Sequence, residues 1–436
     1  MIKSIFIQLW NRKGSNLRIA IELLLVFCIT WYIVDFFFVL QYNKAIPNYR
    51  NLENVYQVKL GQFTSEHPEY RAEADEAEVV EANYQRILQF VRSYPGVEEV
   101  SISFSRSAPG HGSYWGMGVM RLDDSIRVCQ GQRVTIDPAG DFFRTFRYSQ
   151  GRGEKAVSTK DFDWDRPNAI VIGQRVKEQL YPNEAAVGQR LRDARQETEY
   201  TIVGVVDDTK RFSHERPQLT FYLPQKSKAS NIRHAEISVR CQPAVVKHFR
   251  EQFKRDMTDP LRIGNFYLLN VIPYTRIEAD TTRSFGKNSA IKSLTSLMIF
   301  FLLNILLCVM GTFWYRINRR VDEIGLRKAI GSTNSDIRRL LLLEGICLLS
   351  VVLLPAMALE MQFAYANVDL SFLTGFLAQG YHWGDEPGYL PGRLVSRFLI
   401  TNGITFVLLS LVVMAAIWLP AVKASRLAPA EALRDE

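Results

Sequence analysis

The chain has 436 residues, with 53 Lys plus Arg against 45 Asp plus Glu, a formal net charge of +8, and 47% hydrophobic residues. That composition excludes a disordered chain, a collagen and a disulfide-dense mini-domain. The length allows two to four domains, and so ordinary an average leaves room for very apolar blocks offset by very polar ones.

Residues 1–18 hold Lys3, Arg12, Lys13 and Arg18 and no acid. An apolar block from Leu17 to Tyr42 follows, interrupted by Glu22 and Asp35. It exceeds the length of a signal-peptide core and no small-x-small cleavage site follows it, so it reads as an uncleaved anchor. Glu22 lies one turn from Arg18, which suggests a pair at the membrane interface.

From Asn43 to Lys287 the chain is polar and long enough for one or two packed domains. Glu76 to Ser93 reads as an amphipathic helix with Val80, Tyr84, Ile87, Leu88 and Val91 on one face, ended by Pro95-Gly96. Val97 to Phe104 alternates like a strand. Gly110 to Gly118 is glycine-rich, contains His111 and Trp115, and reads as a mobile surface loop or a contact loop. Ala169 to Ile172 is a short strand, Gly173 to Tyr181 a short helix, and Tyr200 to Val206 a β-branched strand before an Asp207-Asp208 turn. Phe221 to Leu223, Glu236 to Arg240 and Phe266 to Ile272 read as strands, and Pro243 to Met257 as a helix. The class is α+β.

Three more apolar blocks follow. Ser293 to Tyr315 and Phe398 to Val422 are uncharged, and Leu340 to Val368 carries only Glu344 and Glu360. A helix of about 20 residues crosses a bilayer, so the sequence predicts four spans. Glu344 lies near Arg338 and Arg339, while Asp35 and Glu360 fall near the outer ends, where water can reach them. Segments 1–18, 316–339 and 420–436 hold 14 basic residues, against Arg393 and Arg397 in the loop 367–397. The positive-inside rule then puts both termini and the 316–339 loop in the cytoplasm.

Few residues suggest chemistry. Asp161, Asp163 and Asp165 start like a calcium loop, but Arg166 and Ile172 stand where Gly and Glu are needed. The histidines form no HExxH pair, and neither a G-x-S-x-G elbow nor a G-x-x-x-x-G-K-[ST] loop occurs. The sequence therefore predicts no catalytic residue, no metal, and no ATP hydrolysis by this chain. An oxidising compartment would permit a Cys129–Cys241 bond, a pairing the sequence leaves open. The charge distribution follows the spans, which argues against nucleic acid as the partner.

The most informative stretch runs from Arg316 to Glu344. As a basic loop it could simply fix topology. Its pattern also fits a short helix over Asp322 to Ala329, with Ile324 and Ala329 against the membrane or a partner. Gly331 would release the chain, and Ser332 or Thr333 would cap the next helix.

The core R-x-x-E-I-G-x-R-K-A-x-G, Arg320 to Gly331, resembles the FtsX/MacB-type permeases of ABC transporters. The tail is similar as well, from Pro420-Ala421 through Ala424 and Arg426 to Pro429-Ala430-Glu431-Ala432-Leu433-Arg434. Outside the spans, Asp137 to Phe146 with Gly151-Arg152, Ala169 to Leu191, and Thr201 to Asp208 resemble the MacB-type core domain.

The resemblance implies four transmembrane α-helices with a large α+β extracytoplasmic domain between helices 1 and 2. The segments are 1–18 (cytoplasmic), 19–42 (helix 1), 43–289 (MacB-like core domain) and 290–315 (helix 2). After them come 316–339 (coupling loop), 340–366 (helix 3), 367–397 (outer loop), 398–419 (helix 4) and 420–436 (tail). It implies a permease in a bacterial inner membrane whose short cytoplasmic helix docks on an ABC ATPase through Glu323, Ile324, Gly325, Arg327, Lys328, Ala329 and Gly331. ATP and Mg would be bound by that partner, encoded separately, with no cofactor in this chain. Homodimers or heterodimers with a related permease, membrane lipid, and a periplasmic adaptor or outer-membrane channel are the other implied partners. Two functions fit: export of an antibiotic, peptide, lipid or lipoprotein, or mechanotransmission without transport to a cell-wall enzyme.

Overall fold

The computed structural model describes residues 13–112, 115–124, 126–284, 286–365 and 389–426. The chain divides into two compact units, Asn43–Phe285 and Met1–Tyr42 with Gly286–Glu436.

Among the described residues of the membrane unit, four helices are long and apolar enough to cross a bilayer, over Ile19–Ala45, Ile291–Asn318, Asn334–Ala364 and Leu394–Arg426. They belong to helices α1 (Lys13–Ala45), α6 (Lys287–Asn318), α8 (Asn334–Tyr365) and α9 (Leu394–Arg426). Between α6 and α8 lies the short α7, Val321–Ala329. One apolar core joins Phe27 of α1, Val309 and Phe313 of α6, Leu348 and Val352 of α8, and Leu409 and Val413 of α9. Gly345 lets α8 and α9 approach closely, since a Cβ there would stand 2.2 Å from Ile417 Cδ1.

The acids inside these helices depart from expectation in three ways. Glu344 pairs with Arg316 and Arg320, not with Arg338 and Arg339. Five and six residues along a helix do not share a face, whereas three and four do. Asp35 is buried, not water-facing, and ion-pairs with Arg397 through Nε (2.7 Å) and Nη2. Glu360 is fully buried at 0% exposure. α1, α8 and α9 turn their polar side chains toward one another, and Trp31 Nε1 adds a 2.9 Å bond to Thr401 Oγ1. Glu22 accepts from the Cys308 thiol at 2.8 Å, and the Arg18 side chain lies outside the described residues.

The other unit holds a ten-stranded sheet. Its strands are β1 (Val55–Gln62), β2 (Val97–Phe104), β3 (Trp115–Arg121), β4 (Cys129–Ile136), β5 (Ala169–Gly173), β6 (Arg190–Asp193), β7 (Glu199–Val206), β8 (Thr220–Pro224), β9 (Ala235–Cys241) and β10 (Phe266–Pro273). Helices α2 (Ala77–Ser93), α3 (Gln174–Leu180), α4 (Val246–Met257) and α5 (Tyr274–Ser284) accompany it.

One layer has the antiparallel order β2-β9-β1-β10, with α2 and α4 as crossovers. This is the βαββαβ order of ferredoxin-like folds. Its core includes Tyr84, Ile87, Leu88 and Val91 of α2, the predicted face, together with Phe249 and Phe253 of α4. Residues 105–234, inserted between β2 and β9, add the other six strands. β4 pairs β3 antiparallel and β8 parallel, and the chain of pairings β8-β5-β7-β6-β3 closes a ring. A second core fills this part with Phe142, Phe143, Phe146, Tyr148 and Tyr222.

The glycine-rich segment differs from its predicted loop. Trp115 to Arg121 is a strand paired on both edges, to β4 and β6. Neighbouring backbones supply the order that glycine alone would not. Cys129 and Cys241 are free thiols buried in different cores.

Candidate functional site: the α6–α7–α8 junction

α7 is built by local signals. Asp322 and Glu323 occupy its first turn and Arg327 and Lys328 its last, each complementing the helix dipole. Gly331 has φ of +104°, and two bonds close the end: Gly331 N to Lys328 O (3.0 Å) and Ser332 N to Arg327 O (3.0 Å). This is a Schellman cap, which requires a residue tolerant of positive φ. Thr333, not Ser332, caps α8. Its Oγ1 accepts from Asp336 N (3.2 Å), and Asp336 Oδ2 accepts from Thr333 N (3.0 Å).

An ion network fastens α7 to its neighbours. Arg316 Nη1 contacts Glu344 Oε1 at 3.3 Å, and Arg320 Nη1 donates to Glu344 Oε2 at 2.8 Å. Arg320 Nε also donates to Glu323 Oε2 at 2.9 Å, and Arg327 Nη2 to Glu323 Oε1 at 2.9 Å. Five side chains thus link the end of α6, both ends of α7 and the third turn of α8. Arg320 and Glu344 are only 7% and 8% exposed. Burial opposes the charge on Arg320, but its bonds to Glu323 and Glu344 prevail and raise its pKa. Burial likewise opposes the charge on Glu323, and Arg320 and Arg327 overcome it, holding the carboxyl below its usual range.

The predicted residues therefore divide. Ile324 is buried with Ile317, Ile337, Ala421 and Ala424, and Gly325 is buried beside it. Glu323 and Arg327 belong to the ion network, and Lys328 Nζ donates to Ser425 O at 2.8 Å. Ala329 and Gly331 are exposed. Two residues the motif did not single out complete the outer face: Leu326, 54% exposed, and Ile330, 79% exposed. Their i, i+4 spacing was the available signal. Arg316 and Glu344 were also outside the expected set, because only the packing of α6 on α8 brings them together.

Three aspartates of the outer unit, Asp137, Asp141 and Asp207, serve the fold. Asp137 accepts from Ala139 N (3.0 Å) and Ser227 N (2.8 Å). Asp141 accepts from Arg144 N (3.0 Å) and Thr159 N (2.8 Å). Asp207 accepts from Ser149 Oγ, Arg152 N and Gly153 N, each at 2.8 Å. These bonds engage the three carboxylates in holding turns. Among the described residues no group of three His, Cys, Asp or Glu side chains could hold a metal.

Four apolar helices, a large α/β domain inserted after the first, and a charged junction helix after the second define a multi-pass membrane protein of the permease class. The chain belongs to the MacB/FtsX-type ABC transporter permease family. The MacB-like periplasmic core domain matches residues 32–255 and the FtsX-like permease C-terminal domain residues 295–429. The macrolide export ATP-binding/permease protein MacB of Salmonella choleraesuis (strain SC-B67) is 26% identical over 310 residues, covering 68% of this chain and 43% of that protein. MacB of Escherichia coli (strain K12) is 24% identical over 305 residues with the same coverages. The chain thus spans less than half the length of these relatives. A solved extracellular domain of the noncanonic ABC-type transporter YknZ from Gram-positive bacteria covers 50% of this chain and all of that domain, at 14% identity and a TM-score of 0.29.

Proposed function

We propose that this chain is the permease subunit of an ABC exporter, and that a cytoplasmic ATPase docks on the outer face of α7. The observation that carries this reading is an exposed apolar edge, Leu326 and Ile330, on a helix that an ion network ties to α6 and α8. A docking partner that pushes on that edge meets a helix that cannot move alone. Arg320 and Glu344 pass the displacement to α6 and α8, and α6 leads back toward the outer domain. Glu323, Ile324, Gly325, Arg327 and Lys328 hold the docking helix in place, while Leu326, Ala329 and Ile330 meet the partner and Gly331 sets the turn.

The excess of basic residues flanking α1, α7 and the end of α9 supports a cytoplasmic position for this junction and both termini. In this reading the ATPase binds ATP and Mg, and the outer domain moves in response. Two copies, or one copy and a related permease, form the working unit, and an adaptor or channel receives the export substrate.

Leu326→Asp with Ile330→Asp tests docking with little disturbance to the junction, because both side chains are exposed. Affinity purification of the intact chain from its native membranes is expected to bring down a Walker-type ATPase, and the double variant to lose it. Full retention of the ATPase by the variant would refute the assignment. Reversing Arg327 and Lys328 is a weaker test, since Arg327 bonds Glu323 within α7 and Lys328 bonds Ser425 O of α9.

A further inference from the structure

Four carboxylates interrupt the apolar stretches, and three have partners: Glu22 with Cys308, Asp35 with Arg397, and Glu344 with Arg316 and Arg320. The fourth, Glu360 on α8, is fully buried, and neither of its oxygens has a hydrogen-bond partner. Its neighbours are Asn402 on α9 and Cys28 on α1, with Asp35 as a nearby charge. Arg397, the cation on α9, is committed to Asp35 and to the Pro391 carbonyl (3.1 Å).

Asn402 has the matching defect. Its Nδ2 donates to Phe398 O at 3.1 Å, while its Oδ1 is buried without a partner. Two acceptors, one from each side chain, therefore lie in the same dry interior without a hydrogen bond. An ionised carboxylate there would have no cation paired with it to offset its desolvation, which costs several kcal/mol even after relaxation. A protonated carboxyl supplies one O–H donor. A single proton satisfies both orphaned groups.

We propose that Glu360 is a proton-binding site: in the packed bundle its carboxyl is neutral and donates to Asn402 Oδ1, and parting of α1, α8 and α9 lets it release the proton to water. Release breaks the O–H bond, leaves the electron pair on the carboxylate and forms hydronium, with no other reactant. Closure of the bundle then takes up a proton. Acid favours the packed arrangement, and rising pH favours the open one. Cys28 and Asp35 on α1 and the Asp35-bound Arg397 on α9 are the titratable and charged groups around the site. The inference stands independently of ATPase docking, because it rests only on the interior of the span bundle.

The test is infrared difference spectroscopy of the full-length chain in nanodiscs of phosphatidylethanolamine and phosphatidylglycerol. The wild type at neutral pH is expected to show a protonated-carboxyl C=O band that Glu360→Gln lacks and Asp35→Asn keeps. Asn402→Ala is expected to move that band to higher frequency, because the carboxyl loses its acceptor. The Asn402→Ala shift also serves if Glu360→Gln fails to fold. A neutral-pH spectrum identical in wild type and Glu360→Gln would overturn the proposal. So would a sodium-dependent carboxylate band that Glu360→Gln removes, which would assign the site to a metal cation.

Discussion

Replacing Glu344 with Ala removes the carboxylate between Arg316 and Arg320 and leaves both guanidinium groups buried at the bundle end. Breaking a buried pair by removing one partner costs about 3–5 kcal/mol, because the remaining charge is uncompensated. Arg320 keeps Glu323, which places the expected loss near the lower end, about 3 kcal/mol. Arg316 loses its bond to Glu344, so Arg316→Ala in the Glu344→Ala background should cost less than in the wild type. A double-mutant cycle in micelles, read by denaturant unfolding of the span unit, measures that difference, and contacting pairs show couplings of about 0.5–3 kcal/mol. ATPase stimulation by the reconstituted complex gives the functional reading, and should fall even where the fold survives. A Glu344→Ala protein with wild-type stability and wild-type coupling would refute the role given to the network.

Other substitutions test neighbouring parts of the structure. Gly331→Val forces a β-branched residue to φ of +104° and should loosen the end of α7, seen as faster hydrogen exchange there. Arg397→Leu should destabilise the bundle by about 3–5 kcal/mol, and adding Asp35→Asn should restore much of it, which paired thermal melts would show. Asp208 is pushed up to about 7, mainly by burial, with Arg175 opposing and Glu178 and Asp207 adding. A carboxyl whose folded pKa lies above the unfolded value of about 3.9 favours folding most in acid, so the outer unit should lose stability as pH rises from about 4 to about 7. Asp208→Asn should flatten that slope in melts recorded across the range.

The spans were legible because nothing but membrane or a dry core explains 23 and 25 uncharged residues in a row. The strands Val97–Phe104 and Glu199–Val206 were legible through their β-branched alternation. β1 was missed because its half-buried pattern mixes Gln, Lys and Gly among its apolar residues, and β3 because two glycines mask a strand held by both neighbours. The closing of residues 105–234 into a ring depends on pairing β4 with β8, a contact no local pattern encodes. At the junction, the dipole-matched charges, Gly331 and the Thr333 cap all follow local rules, and the sequence supplied them. The partner of Arg320 did not follow, since Glu344 lies on another helix and is nearer in sequence to Arg338 and Arg339.

The docking of an ATPase on α7 is tested most directly by photocrosslinking in native membranes, with a photoreactive amino acid at position 330. The expected result is an adduct with a Walker-type ATPase that disappears when Leu326→Asp is added. Adducts with lipid alone, or a labelling pattern indifferent to Leu326→Asp, would contradict the assignment.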